Sequence, residues 1–191
     1  GTDNRVLNIH HFCKSCFNFH IHDLSLKATM SKLQNFKNNL FLSIYAWSKI
    51  PLIGFCMPRV LESSDQRTVL KIPLGFRTKN HLGAMYFGAL AIGSELCIAM
   101  LAVKKIQESG ARIDFLFKDY KAEFLRRAEG DVHFICEEAQ VVVDQINEAK
   151  GSTERINRTM TPYAIVPSVS MTEKVATFEL TLSVKNRQKK S

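Results

Sequence analysis

Asn80-His81-Leu82-Gly83-Ala84-Met85-Tyr86-Phe87-Gly88-Ala89-Leu90-Ala91-Ile92-Gly93-Ser94-Glu95 opens a run that stays apolar through Val103. Between Gly83 and Val103 the only charge is Glu95. Apolar residues on all sides over helical length predict a helix buried nearly all round. A carboxylate inside such a helix is costly unless paired or put to use, so Glu95 is the first candidate functional residue. Stepping by threes and fours, Ala84, Gly88, Ala91, Glu95, Ala99 and Ala102 share one face. Met85, Leu90, Leu96, Met100 and Leu101 fill the others. A face of small residues admits another backbone or a slender ligand beside Glu95. The plainer alternative is structural, with Glu95 paired to an arginine such as Arg77 at an interface.

The same helix is expected to close through Lys104 and Lys105, which suit the negative end of its dipole, and to break at Gly110. Upstream, Leu33, Phe36, Leu40, Phe41, Ile44 and Trp47 recur at threes and fours, predicting an amphipathic helix that Pro51 ends. Two short extended runs at 59–63 and 67–73, separated by Ser64-Asp65-Gln66, read as a hairpin. Beyond Gly110, Ile113, Phe115 and Phe117 alternate, and a second phase runs through Ala122 and Phe124. One long strand with a bulge near Asp119-Tyr120 accounts for both. A strand over 132–137, a helix over 138–150 and extended runs at 155–168 and 175–184 complete the order. Helix, two strands, long helix, then four strands with a helical insert define an α+β protein.

At 191 residues and 46% hydrophobic, the chain suffices for one substantial core. Residues 1–29 lack the amphipathic order of the rest of the chain and read as a leader or extension, native or not. Residues 30–185 form a single domain, and 186–191 a basic tail. Within the leader, Cys13 and Cys16 stand too close to His20 and His22 for the loop that separates zinc-ligand pairs, so neither a metal nor a cofactor is expected. The net charge of +8 suits an anionic partner, although the basic residues are dispersed. Aromatic residues sit in core-like positions rather than between basic ones, so no nucleic-acid partner is expected. Five cysteines, an odd number in apolar contexts, indicate a reducing, cytoplasmic setting, and the first 29 residues hold no secretory signal. The central helix is long enough to span a bilayer, but strands on both sides of it fit a soluble core better, so no membrane partner is expected.

Gly83 stands where the chain turns into the helix, so the amides of Tyr86 and Phe87 are expected in or near the first turn. There N–H groups lack intrahelical partners and the dipole favours an oxyanion. Glu95 lies eight residues past Phe87, about 12 Å of helical rise, too far for both to touch one reacting carbon. A second helix running antiparallel would bring one chain's amide to the other's Glu95. The geometry therefore implies a homodimer with shared sites, and pairing further into tetramers stays open.

With Asn80, Gly83, Gly88 and Glu95 at matching positions, the segment resembles the central helix of the hotdog-fold thioesterase superfamily. The resemblance is to its phenylacetate-type acyl-CoA thioesterases and to the group called domain of unknown function 4442. It covers about residues 41–184. It implies a hotdog fold, in which a bent antiparallel β-sheet wraps a long central α-helix, and a thioesterase acting on an acyl-CoA or acyl-carrier thioester at a dimer interface. In that reading Glu95 is the general base or nucleophile and Asn80 orients water or substrate. The Phe87 amide polarises the carbonyl beside Tyr86, Gly83 and Gly88, while Lys118, Arg126 and Arg127 meet the CoA phosphates. Tyr86 stands where the family has His, Phe87 where it has Gly, and Phe117 where relatives place Ser or Thr on the next strand. These departures suggest a greasier pocket for an acyl chain. The alternative is a non-catalytic acyl- or fatty-acid-binding, or purely structural, hotdog dimer.

Overall fold

The computed structural model describes residues 32–187. The leader, with its cysteines and histidines, and residues 188–191 of the tail lie outside the described residues. The chain divides into two compact units, Gly1–Asn38 and Asn39–Ser191. In the first, the described residues 32–38 are helical. The second holds the sheet, the long helix and the candidate site.

Helix α1 occupies residues 32–49 and stops at Ile50, the residue before Pro51, as expected. Proline then takes the first position of a short helix α2 (Pro51–Phe55), where a missing N–H costs nothing. The apolar stripe of α1 differs from expectation: burial falls on Leu42 and Ala46, while Leu40, Phe41, Ile44 and Trp47 point to solvent. The cause is an anchor on the other side. The Asn39 side chain donates to Val60 O at 2.9 Å and accepts from Val60 N–H at 2.8 Å, turning the Asn39-Leu42-Ala46 line toward the sheet.

The predicted hairpin forms as β1 (Arg59–Ser63) and β2 (Thr68–Ile72). Helix α3 (Phe87–Ser109) follows and ends at Gly110, whose φ of 64° is the left-handed geometry glycine adopts without penalty. Then come β3 (Ile113–Phe124), β4 (Val132–Cys136), α4 (Ala139–Gly151), β5 (Ile156–Met160), β6 (Tyr163–Ile165) and β7 (Lys174–Asn186). Five strands, not four, follow α3. Pro162, which has no N–H for a ladder, splits the expected run at 155–168. Glu138 holds the break by accepting from Thr161 N–H at 2.6 Å. All pairings are antiparallel, in the order β1-β2-β4-β6-β7-β3, with β5 also on β7.

The bulge in β3 lies where the alternation places it. Phe117 pairs with Leu182 and Tyr120 with Leu180, so three steps on β3 match two on β7. Asp119 accepts from the Thr181 N–H at 2.9 Å across the bulge. The extra residue carries Tyr120 and Ala122 into the phase that Phe115 and Phe117 begin.

Helix α3 packs on β2, β4 and α4. Cys97, Ile98, Leu101 and Ala102 are fully buried. The Cys97 thiol donates to the carbonyls of Thr68 and Phe134, each at 3.3 Å. Burial pushes this thiol up, and that of Cys136 to about 12, so both stay protonated and inert. On α4, the buried Gln145 amide donates to Ile156 O at 2.9 Å and Leu182 O at 2.7 Å, tying that helix to β5 and β7.

The closest approach is at Gly93, where a Cβ would stand 2.3 Å from the fully buried Phe134 ring. Gly93→Ala is therefore expected to destabilise the fold by about 1–3 kcal/mol, despite alanine's better helix propensity. Urea denaturation reads this as a lower midpoint with an unchanged slope.

Candidate functional site

The site begins in the loop between β2 and α3, which a few polar side chains hold rigid. Asp131 accepts from Lys71 Nζ at 2.7 Å and from Leu74 N–H at 2.9 Å, and these donors hold its carboxyl below the ordinary aspartate range. Thr78, itself buried, donates its hydroxyl proton to Pro73 O at 2.6 Å and accepts from Gly75 N–H at 3.1 Å. Asn80 Oδ1 accepts from Leu82 N–H at 2.9 Å, and its carbonyl from Gly83 N–H at 3.1 Å. Gly83 sits at φ 82° in that turn, a left-handed conformation that suits glycine. Asn80 and Gly83 thus build the turn that delivers the chain to α3.

The helix starts at Phe87, so the Tyr86 and Phe87 amides stand at its first turn as expected, and Met85 and Tyr86 lead into it as extended chain. Met85 N–H donates to Ala128 O at 2.9 Å and Tyr86 N–H to Thr78 O at 2.7 Å. Tyr86 is the N-cap without a side-chain capping bond, so its amide is spent on Thr78 while Phe87 and Gly88 occupy the first turn. The Tyr86 ring folds back over that turn: a Cβ on Gly88 would lie 2.5 Å from it, and the Phe87 ring stands 4.7 Å away. Both rings are about half exposed.

A groove of about 570 Å³ opens beside them, lined by Asn80, Tyr86, Phe87, Leu90, Phe124, Arg126 and Arg127, among others. Five of the sequence-predicted site residues, Asn80, Tyr86, Phe87, Arg126 and Arg127, meet here. Arg126 is ion-paired with Glu173, whereas Arg127 has no ion pair among the described residues. Lys118 lies in the β3 bulge and does not line the groove.

Glu95 is elsewhere, and it is not buried. The sheet and α4 cover the side of α3 that carries Cys97 and Leu101. They leave open a face of half-exposed Gly88, Ala91, Ile92 and Ala99, with Glu95 exposed at its centre. The Arg77 pairing does not form; that guanidinium stacks over the rings of Phe55 and Phe76, at 5.3 and 5.5 Å. Among the described residues Glu95 makes no ion pair. Partial desolvation by its apolar neighbours raises its carboxyl above the ordinary glutamate value. Within the chain, the groove and the Glu95 carboxylate lie apart, since Glu95 does not line the groove.

One polar residue was not evident from the sequence. Tyr120, brought by the bulge into the phase of Phe115 and Phe117, has its ring 6.2 Å from Phe178; burial raises its phenol, and Ser94, the neighbour of Glu95 in α3, partly offsets that rise. The sequence carried the bulge signal, but counting the strand without its extra residue points to Phe117 instead.

A single long helix against an all-antiparallel sheet is the hotdog arrangement, and solved structures share it. A protein of unknown function from Chlorobaculum tepidum superposes with a TM-score of 0.70 at 11% identity, over 80% of this chain and 97% of that one. A probable thioesterase from Pseudomonas aeruginosa gives 0.65 at 20% identity, covering 78% and 95%. A thioesterase from Haemophilus influenzae gives 0.55 at 13%, covering 78% and 90%. The protein therefore has a hotdog fold. More particularly, it belongs to the family described as a domain of unknown function, DUF4442, which matches residues 38–184. No curated protein matches the chain.

Since the ring over Gly88 is half exposed, it can swing away, unlike Phe134 over Gly93. Gly88→Ala is expected to change stability by less than about 1 kcal/mol, because displacing Tyr86 offsets the helix propensity gained. A urea midpoint shift as large as that of Gly93→Ala would show the Tyr86 ring to be rigidly held.

Proposed function

We propose that the protein hydrolyses an acyl-CoA or acyl-carrier thioester as a homodimer, each site combining Glu95 of one subunit with the α3 amino end of the other. The observation that carries this reading is Glu95, partly desolvated and without an ion pair among the described residues, on an open small-residue face of α3. A groove with helix-terminal amides lies about two turns away, too far to serve the same carbonyl within one chain. The long edge strand β3, paired only with β7 among the described residues, supplies an edge that a second copy could extend.

In the general-base form, Glu95 takes a proton from water and the resulting hydroxide adds to the thioester carbonyl. The Phe87 amide receives the oxyanion; the C–S bond then breaks and the proton passes to the departing thiolate. In the nucleophilic form Glu95 itself attacks the carbonyl, the C–S bond breaks to release the thiolate, and water cleaves the resulting anhydride to the free acid and the Glu95 carboxylate, a proton from that water going to the thiolate. Asn80 orients the reactant at the groove, with its Oδ1 already holding the turn. Arg127 and Arg126 offer cations to CoA phosphates. The free thiols of Cys56, Cys97 and Cys136 support a reducing, cytoplasmic setting.

Assays with acyl-CoAs of graded chain length are expected to show thiol release, which Glu95→Gln lowers about 10²- to 10⁴-fold. Equal, slow release by both proteins would remove the enzymatic reading. Because the Glu95 carboxyl is raised and its ionised form is the active one, kcat/KM is expected to climb with pH through a window above the ordinary glutamate value of 4.5. That limb should vanish in the glutamine variant. A second reading, acyl binding without turnover, draws on the Tyr86 ring lying over the first turn of α3. It expects a thermal shift with acyl-CoA or fatty acid and no hydrolysis.

A further inference from the structure

The outward stripe of α1 is unexplained by the site and continues onto its neighbours. Ile44 and Trp47 are 62% and 58% exposed, and Phe41 stacks on Tyr45 with ring centroids 6.0 Å apart. Trp47 lies against Gly54 of α2, and Phe55 of α2 meets Arg77, which also covers the 78%-exposed Phe76 in the loop before the groove. Monomeric surfaces rarely leave contiguous large side chains uncovered without a partner.

The charges around this face have one sign. Residues 39–61 contain no Asp or Glu, and neither do residues 73–85. Lys49, Arg59, Arg77 and Lys79 are all exposed, and none makes an ion pair among the described residues. A two-fold interface with a second copy would set this cationic, acid-free face against itself, so like charges would meet. An anionic lipid surface has the opposite sign and takes apolar side chains between its headgroups, with tryptophan and tyrosine at the boundary and lysine and arginine beside them.

We propose that residues 39–49 of α1, α2 and the Phe76 loop form a docking face for an anionic bilayer surface, which this part of α1 meets lying flat. The expectation of no membrane partner rested on excluding a spanning helix; α3 is long and apolar enough to span, but packs against the sheet. The docking face concerns peripheral attachment and is independent of thioester hydrolysis, so its test needs no substrate.

Trp47 is the only tryptophan of the chain and sits on the face, which makes it a built-in probe. The full chain is mixed with phosphatidylcholine vesicles, with or without phosphatidylserine. Cosedimentation and a blue shift of Trp47 emission are expected only with phosphatidylserine, both weakening as salt rises. K49Q/R59Q is expected to lower vesicle partition about thirtyfold, from roughly fivefold per cation near such a surface. I44S, at an exposed position, should reduce the blue shift while leaving the circular dichroism spectrum and urea midpoint unchanged. Absence of binding to the anionic vesicles would overturn the proposal, as would equal, salt-insensitive binding to both kinds. A blue shift that tracks protein concentration in vesicle-free buffer would also overturn it and assign the face to a second copy.

Discussion

The Phe134 ring occupies the place where a side chain at position 93 would stand, and that contact sets how deep α3 lies against the sheet. Depth and rotation are fixed together, because only one residue of that turn lacks a Cβ. With about 100° per residue, position 95 is turned some 200° from position 93, so seating Gly93 on Phe134 directs Glu95 away from the sheet. The hydrogen bonds of Cys97 to the carbonyls of Thr68 and Phe134 hold the next turn in the same rotation. The exposed carboxylate is thus a consequence of core packing elsewhere on the helix.

The amino end of α3 is governed differently. Its position depends on polar knots in the preceding loop, with Asp131 bridging Lys71 and Leu74, and Thr78 bridging Pro73, Gly75 and Tyr86. These bonds hold Met85 and Tyr86 extended and bring Tyr86 and Phe87 beside Arg126 and Arg127. One end of the helix is therefore placed by packing and the other by hydrogen bonding. The groove and the Glu95 face inherit that division.

Much of this was legible in the sequence. The hairpin, the α3 stop at Gly110, the bulge near Asp119 and the clean alternation of β7 all come from local pattern, because local pattern is what each depends on. The misses have non-local causes. The break at Pro162 is held by Glu138, more than twenty residues away. The exposure of Glu95 depends on which side of α3 the sheet takes, and periodicity reports that a helix has faces without saying which is covered. The α1 stripe misled for the same reason: its apolar residues are real, but Asn39 turns the opposite line toward Val60. Tyr120 was hidden by one extra residue in a strand whose bulge was itself foreseen.

The Thr78 knot has a mechanical consequence. The Tyr86 and Met85 amides are bonded to Thr78 and Ala128, on either side of the groove floor, and Asp131 ties that floor to β2 and the start of β4. Groove opening cannot then proceed as the local fraying common at a loop. It is coupled to loosening of the sheet, and those amides should exchange with solvent deuterium nearly as slowly as the core strands. A recess built this way keeps its shape while empty, so a ligand entering it meets a pre-organised wall whose ordering cost was met when the chain folded.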